Sequence, residues 1–271
     1  MLFIKIYNYF LILRFDVRTE TTDLTKGAVT AEFSVVTHGY DMIYVTGDTH
    51  GLPSRFDDPR LRSLGREDTL IVCGDFGFLW DGSKEEMNTL KKLSKKKYNI
   101  CFVDGTHENF DMLSRLKVKR WNGGKVHQVS DNIFHLMRGQ VFTIDGQKIF
   151  TMGGGESPDI EIRFETNTWS ESEIPTRDEL VEGVDNLQKY QGNVDIVITH
   201  EPPAKIKDFM MLKQPHEASI TAVNTYLEDV NRTCKFKHWY FGSLHIDKFI
   251  SSTHVSVFNN IINAVTGKPV K

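Results

Sequence analysis

Five short segments set an aspartate or a histidine directly after an apolar run. They are Gly47-Asp48-Thr49-His50-Gly51, Gly74-Asp75-Phe76-Gly77, Asp104-Gly105-Thr106-His107-Glu108, Thr199-His200-Glu201-Pro202 and Gly242-Ser243-Leu244-His245. Carboxylate and imidazole donors together suit manganese, iron and zinc. Asp48 and His50 flank Thr49, so on an extended backbone they point to the same side and both can bind one ion. Taken singly, each segment is weak: a lone Asp-Gly is usually a turn, and a lone histidine is more often a structural residue. The weight lies in their recurrence at successive strand ends.

Those strands follow from the apolar pattern. Residues 42–46, 70–73 and 100–103 read as buried strands, and 84–97 between the last two has helical spacing with lysines on its outer face. Strand, helix, strand in this rhythm implies parallel strands joined by crossover helices. Residues 125–129, 133–137, 140–144 and 148–152 are short, close together and separated by turn signals, which predicts an antiparallel meander. Further on, 178–189 and 218–230 read as helices, and 194–198, 238–241 and 255–258 as strands. The reading is one α/β domain with two sheets over residues 42–271. The Asp and His residues fall at the carboxyl ends of the strands, the edge where open α/β sheets bind ligands.

In this order the segments resemble the signature of the calcineurin-like metallophosphoesterases: G-D-x-H-G, G-D, G-N-H-[ED], a single His after an apolar strand, and G-H-x-H. The resemblance runs over about residues 42–260, and 42–51 is similar to the opening of small bacterial members. It implies an α/β fold built as a two-sheet sandwich flanked by helices, a four-layer αββα arrangement, with metal ions at the strand ends. Carried over by position, Asp48, His50, Asp75 and His245 hold a first metal. Asp75 bridges to a second metal, and His200 is a ligand of that second ion. His107 lies beside the substrate, where it supports the transition state or protonates the leaving oxygen. The implied reaction is hydrolysis of phosphate mono- or diesters by metal-bound hydroxide, as a phosphatase or phosphodiesterase. The implied partner is a phosphorylated substrate: a nucleotide, a phosphodiester or a phosphoprotein.

Two positions depart from the pattern, and both belong to the second metal. The family asparagine is Thr106 here, and the first histidine of G-H-x-H is Ser243. A neutral hydroxyl can ligate a hard ion, but it is a poorer ligand than imidazole for manganese, iron or zinc. One strong site and a weak or absent second one are therefore expected. A two-metal clamp spans about 4 Å and neutralises developing charge. Losing one comparable electrostatic contact costs about 3–4 kcal/mol of barrier. The expectation is a weakened metal-dependent phosphoesterase. The alternative is an inactive member that binds a nucleotide, phosphoprotein or protein partner.

Arg55 and Arg163 are candidate phosphate-binding residues, because a guanidinium fork matches phosphate oxygens. His238 and His254 read as strand or surface histidines. Phe78 and Trp80 read as core or rim packing, and Lys91, Lys92 and Lys95–Lys97 as a solvated helix face. The polar stretch 156–178 is expected to cover the substrate.

Bulk properties agree with a soluble enzyme. The chain has 271 residues, 25% of them charged, and a formal net charge of -3, which argues against strong general nucleic-acid binding. Three widely spaced cysteines argue against a disulfide framework and for the cytoplasm. The apolar run over residues 1–15 is shorter than the about 20 residues a membrane helix needs, so no membrane role is assigned. Residues 1–41 are read as an N-terminal extension, either disordered or added by a start codon assigned upstream of Met42.

Overall fold

Side chains alternate between two apolar layers along each central strand, and that alternation builds the architecture. A computed structural model describes residues 5–6, 9–10, 42–212 and 219–270. The chain divides into two units, Met1–Tyr40 and Asp41–Lys271. In the first unit, β1 (Lys5–Ile6) pairs antiparallel with β2 (Tyr9–Phe10). The rest of the expected extension over 1–41 lies outside the described residues.

The second unit opens with β3 (Ile43–Thr46), β4 (Thr69–Val72), α1 (Lys84–Leu93), β5 (Asn99–Phe102), α2 (Phe110–Ser114), β6 (Lys117–Trp121), β7 (Gly124–Gln128) and β8 (Ile133–Leu136). There follow β9 (Gln140–Ile144), β10 (Gln147–Met152), α3 (Ile160–Glu165), α4 (Arg177–Lys189), β11 (Ile196–Thr199), α5 (Ala204–Met211) and α6 (Ala222–Thr233). The chain closes with β12 (His238–Phe241), β13 (Lys248–Phe249), β14 (His254–Ser256), β15 (Ile262–Asn263) and β16 (Lys268–Pro269).

One sheet runs β16-β15-β3-β4-β5-β8-β7-β6, with β3, β4, β5 and β8 parallel. The other runs β13-β14-β12-β11-β10-β9, with β10, β11, β12 and β14 parallel. Ile71, Cys73, Cys101 and Val103 of the first sheet join Ile149, Ile196, Ile198 and Tyr240 of the second in the central core. Leu70, Val72, Ile100 and Phe102 turn the other way, onto Leu90, Leu93 and Leu113 of α1 and α2. Phe150, Val197, Trp239 and Phe241 pack on Leu187, Val223, Leu227 and Val230 of α4 and α6. The expected four-layer αββα sandwich is therefore present.

The chain differs from the expected organisation in one instructive way. Residues 125–152 do not form a single meander. β7 and β8 are antiparallel neighbours in the first sheet, and β9 and β10 in the second. The chain changes sheets at residues 137–139, where the Arg138-Gly139 turn signal had suggested a hairpin. β8 instead pairs parallel with β5. Helix boundaries shift too. The sixth helix starts at Ala222, capped by Thr221 with Asn224 closing a capping box, and Ile220 lies outside it and exposed. The first helix stops at Leu93, short of the lysine run. Among the described residues, no helix is long and apolar enough to cross a membrane.

Candidate metal centre

The five strand-end segments meet at the carboxyl edges of β3, β4, β5, β11 and β12. Donor atoms of Asp48, His50, Asp75 and His245 all lie within 4.8 Å of one another. His50 Nε2 is 3.0 Å from His245 Nε2, and His50 Nδ1 is 3.8 Å from Asp75 Oδ2. His245 Nε2 stands 3.0 Å from Asp48 Oδ2, an ion-pair contact. His50, Asp75, Ser243 and His245 all adopt positive φ, between 31° and 49°. Non-glycine residues take this conformation only where the surroundings enforce it.

The neighbouring glycines are required by close approach. A Cβ on Gly105 would strike the Asp75 carboxylate, and one on Gly242 would strike Asp48 Oδ1. Gly105 of the Asp-Gly pair, and Gly242 before Ser243, thus let one strand end press against the carboxylate of another.

Asp48 is 1% exposed, and its carboxylate meets imidazole nitrogens, His245 Nε2 at 3.0 Å and His200 Nδ1 at 3.8 Å. Two carboxylates buried together, Asp48 and Asp75, are costly unless cations complete them. Two carboxylates and two imidazoles form a donor set that a divalent ion of intermediate hardness fits.

Deeper in the site, His200 is buried with Nδ1 3.8 Å from Asp48 Oδ1 and Nε2 3.9 Å from Asp75 Oδ1. Burial opposes its charge, but Asp75, Asp48 and Glu201 outweigh it and push its pKa up to about 9. Burial likewise opposes ionisation of Asp75, and His200 and His107 hold that carboxyl well below the usual range. The nearby Asp48 carboxylate raises the pKa of His245, whereas burial dominates at His50 and lowers it. His107 Nδ1 lies 3.1 Å from Asp75 Oδ2 and 3.0 Å from Thr106 Oγ1. Ser243 Oγ is buried without a partner.

The model of the calcineurin-like phosphoesterase family matches residues 42–257. The chain belongs to that family. A solved structure, that of a phosphopantetheinyl hydrolase from Mycobacterium tuberculosis, superposes at a TM-score of 0.34 with 16% identity, over 81% of this chain and 90% of that one. No curated protein matches.

Around this calcineurin-like centre, some expected residues take other roles. Arg163 is buried and turned inward: Nη1 contacts Glu173 Oε2 at 2.9 Å and Nη2 donates to the Thr168 carbonyl at 2.8 Å. Arg55 bonds Thr46, Phe258 and Asn259. His254 lies in β14 and stacks on Trp239 at 5.6 Å, as a strand histidine outside the cluster should.

Other supporting residues were not singled out from the sequence. Glu108 accepts hydrogen bonds from the amides of Phe76 and Gly77, gripping the turn that carries Asp75. Burial first, then Asp75, raises its pKa. Asp104 is buried and takes a two-pronged contact from Arg138, Nε at 2.8 Å and Nη2 at 2.6 Å, plus His135 Nε2 at 2.9 Å. Burial works against its charge, but Arg138 and His135 keep it ionised at low pH. Arg138 also donates to the carbonyls of Ser172 and Glu173, joining the His107 strand end to residues 156–178. Glu108 and Asp104 stand inside the third segment, so their signal was the motif itself. Arg138 had none beyond its place beside a turn glycine.

Proposed function

We propose that this chain is a metal-dependent phosphoesterase hydrolysing phosphate mono- or diesters. Asp48, His50, Asp75 and His245 form its strong metal position. Asp75, His200, Thr106 and Ser243 form a weakened second one. The observation that carries this reading is the gathering of the buried Asp48 and Asp75 carboxylates with the His50 and His245 imidazoles, donor atoms all within 4.8 Å of one another.

A divalent ion held by Asp48, His50, Asp75 and His245 would polarise the phosphoryl group and lower the pKa of water. The chain's own residues do the rest. With both ring nitrogens protonated, His107 donates from Nδ1 to Asp75 Oδ2 and offers its Nε2–H to the substrate. The His107 side chain is 40% exposed, so it is open to a leaving-group oxygen that needs a proton. His107 N donates to Asp75 Oδ1 at 2.8 Å, so acid and carboxylate are set in one unit.

The second position is weak for a local reason. The Thr106 hydroxyl is engaged with His107 Nδ1, and the short Ser243 hydroxyl stands where the family pattern has an imidazole. Manganese, iron or zinc suits the strong donor set. A nucleotide, phosphodiester or phosphoprotein is the substrate class, with residues 156–178 as its cover. A cytoplasmic setting agrees with cysteines that are all free.

The test is hydrolysis of an aryl phosphomonoester and an aryl phosphodiester with manganese, wild type beside His107→Ala. Turnover lost in His107→Ala supports the enzyme. No wild-type turnover, with activity appearing in Thr106→Asn/Ser243→His, supports the second reading instead. In that reading the protein is a binding member disabled at Thr106 and Ser243.

A further inference from the structure

The turn at residues 258–260 stands behind the metal-ligand cluster and is tied to both of its flanks. The Phe258 ring lies 5.0 Å from the His245 imidazole, centroid to centroid, inclined at 34°. The Arg55 guanidinium carbon is 6.0 Å from the centroid of the same ring. Arg55 Nη1 donates to the Phe258 carbonyl and, at 2.6 Å, to Thr46 Oγ1, while Nη2 donates to Asn259 Oδ1 at 3.0 Å. The Gly47 amide donates to the same Phe258 carbonyl at 3.2 Å. From the other flank, Asp247 accepts from the amides of Phe258, Asn259 and Asn260 at 2.8, 3.0 and 3.0 Å. Thr46 and Gly47 lead into Asp48, and Asp247 lies two residues beyond His245.

We infer that Arg55 is a positioning residue of the metal centre: with Phe258 and Asp247 it locks the 258–260 turn as the support against which Asp48 and His245 are set. The inference rests on the reading of the cluster as a metal site, and it gives Arg55 a role apart from the phosphate binding that the sequence suggested. Three of its N–H donors already serve acceptors on this turn and on β3, two from Nη1 and one from Nη2. The geometry also requires a fork. A lysine at this position carries the charge but cannot hold Thr46, the Phe258 carbonyl and Asn259 from two separate nitrogens. Outer partners of this kind orient first-sphere ligands, and their loss typically weakens metal binding by roughly 10–100-fold.

The experiment is equilibrium dialysis of the full chain against manganese, with no substrate present. Wild type is compared with Arg55→Lys, Phe258→Leu and the control Arg60→Lys, whose partner is Asp58 of its own turn. Metal-free melting and binding of inorganic phosphate are measured alongside. The expected result is roughly 10–100-fold weaker manganese binding in Arg55→Lys and Phe258→Leu, with metal-free melting unchanged and Arg60→Lys equal to wild type. Wild-type manganese affinity in both variants overturns the inference, and with a selective loss of phosphate binding in Arg55→Lys it makes that residue a phosphate ligand. Affinity that falls only in step with metal-free melting also overturns it, because a general loss of fold would then explain the effect. Phe258→Leu keeps an apolar side chain, so it answers the question if Arg55→Lys does not fold. A wild-type chain that binds no manganese is a different result and sinks the metal reading itself.

Discussion

Asp48→Asn should make the metal-free protein more stable while removing its response to metal. The Asp48 carboxylate is buried, and the Asp75 carboxylate stands in the same cluster. A poorly satisfied buried polar group costs about 1–3 kcal/mol, and more when charged. The amide keeps the shape and removes the charge, although His200 and His245 lose a carboxylate that raises their pKa. The net gain should be about 1–2 kcal/mol, which is about 2–8 °C in melting temperature for a domain of this size. Manganese at a hundredfold excess over Kd should add about 2.7 kcal/mol to wild type and little to the variant. Thermal melting in EDTA and in manganese reads both effects. If the variant melts below wild type in EDTA and keeps the full manganese shift, the cluster is not the metal site.

Arg138→Met leaves Asp104 buried with His135 as its remaining side-chain partner. Breaking a buried pair costs about 3–5 kcal/mol, so the melting temperature should fall by about 6–20 °C, and a fall below about 3 °C would contradict the argument. Burial, then His135, lowers the pKa of His127 from 6.5 to about 4. Between those values the unfolded chain binds a proton that the folded chain refuses. Stability should therefore decline as pH falls from 6.5 toward 4. Urea midpoints across that range should vary less in His127→Gln than in wild type. Thr106→Asn/Ser243→His should add a second manganese equivalent in equilibrium dialysis, and unchanged stoichiometry would remove the explanation given for the weakened position.

The strands that carry the site were legible because they are buried on both faces and end in a change of chemistry. Residues 70–73 and 100–103 are unbroken apolar runs followed by Gly-Asp or Asp-Gly, and the structure brings those ends together. Asp48 and His50 do share the cluster, but His50 reaches it from a turn with φ 45° and not by the strand alternation expected of the spacing. Sheet membership was not legible between residues 125 and 152. Two antiparallel pairs in different sheets have the same local pattern as one meander, and only the parallel partner β5 distinguishes them. The supporting contacts were hidden for the same reason. Arg55 and Phe258 are separated by 203 positions, and Arg138 and Asp104 by 34, so no local periodicity signals either pair. Arg163 shows the opposite error: a lone arginine after a glycine run looked available, yet Glu173, ten residues on, occupies it.

The return of the chain to its first sheet couples the sheet edge to the candidate metal centre. β15 pairs with β3, at Ile262 opposite Val45 and Asn263 opposite Tyr44, and Tyr240 Oη donates to the Ala264 carbonyl at 3.0 Å. The same segment carries the 258–260 turn. The strand that covers the edge of β3 and the support behind His245 therefore belong to one short stretch of chain, so whatever loosens that stretch from the sheet also loosens the backing of His245.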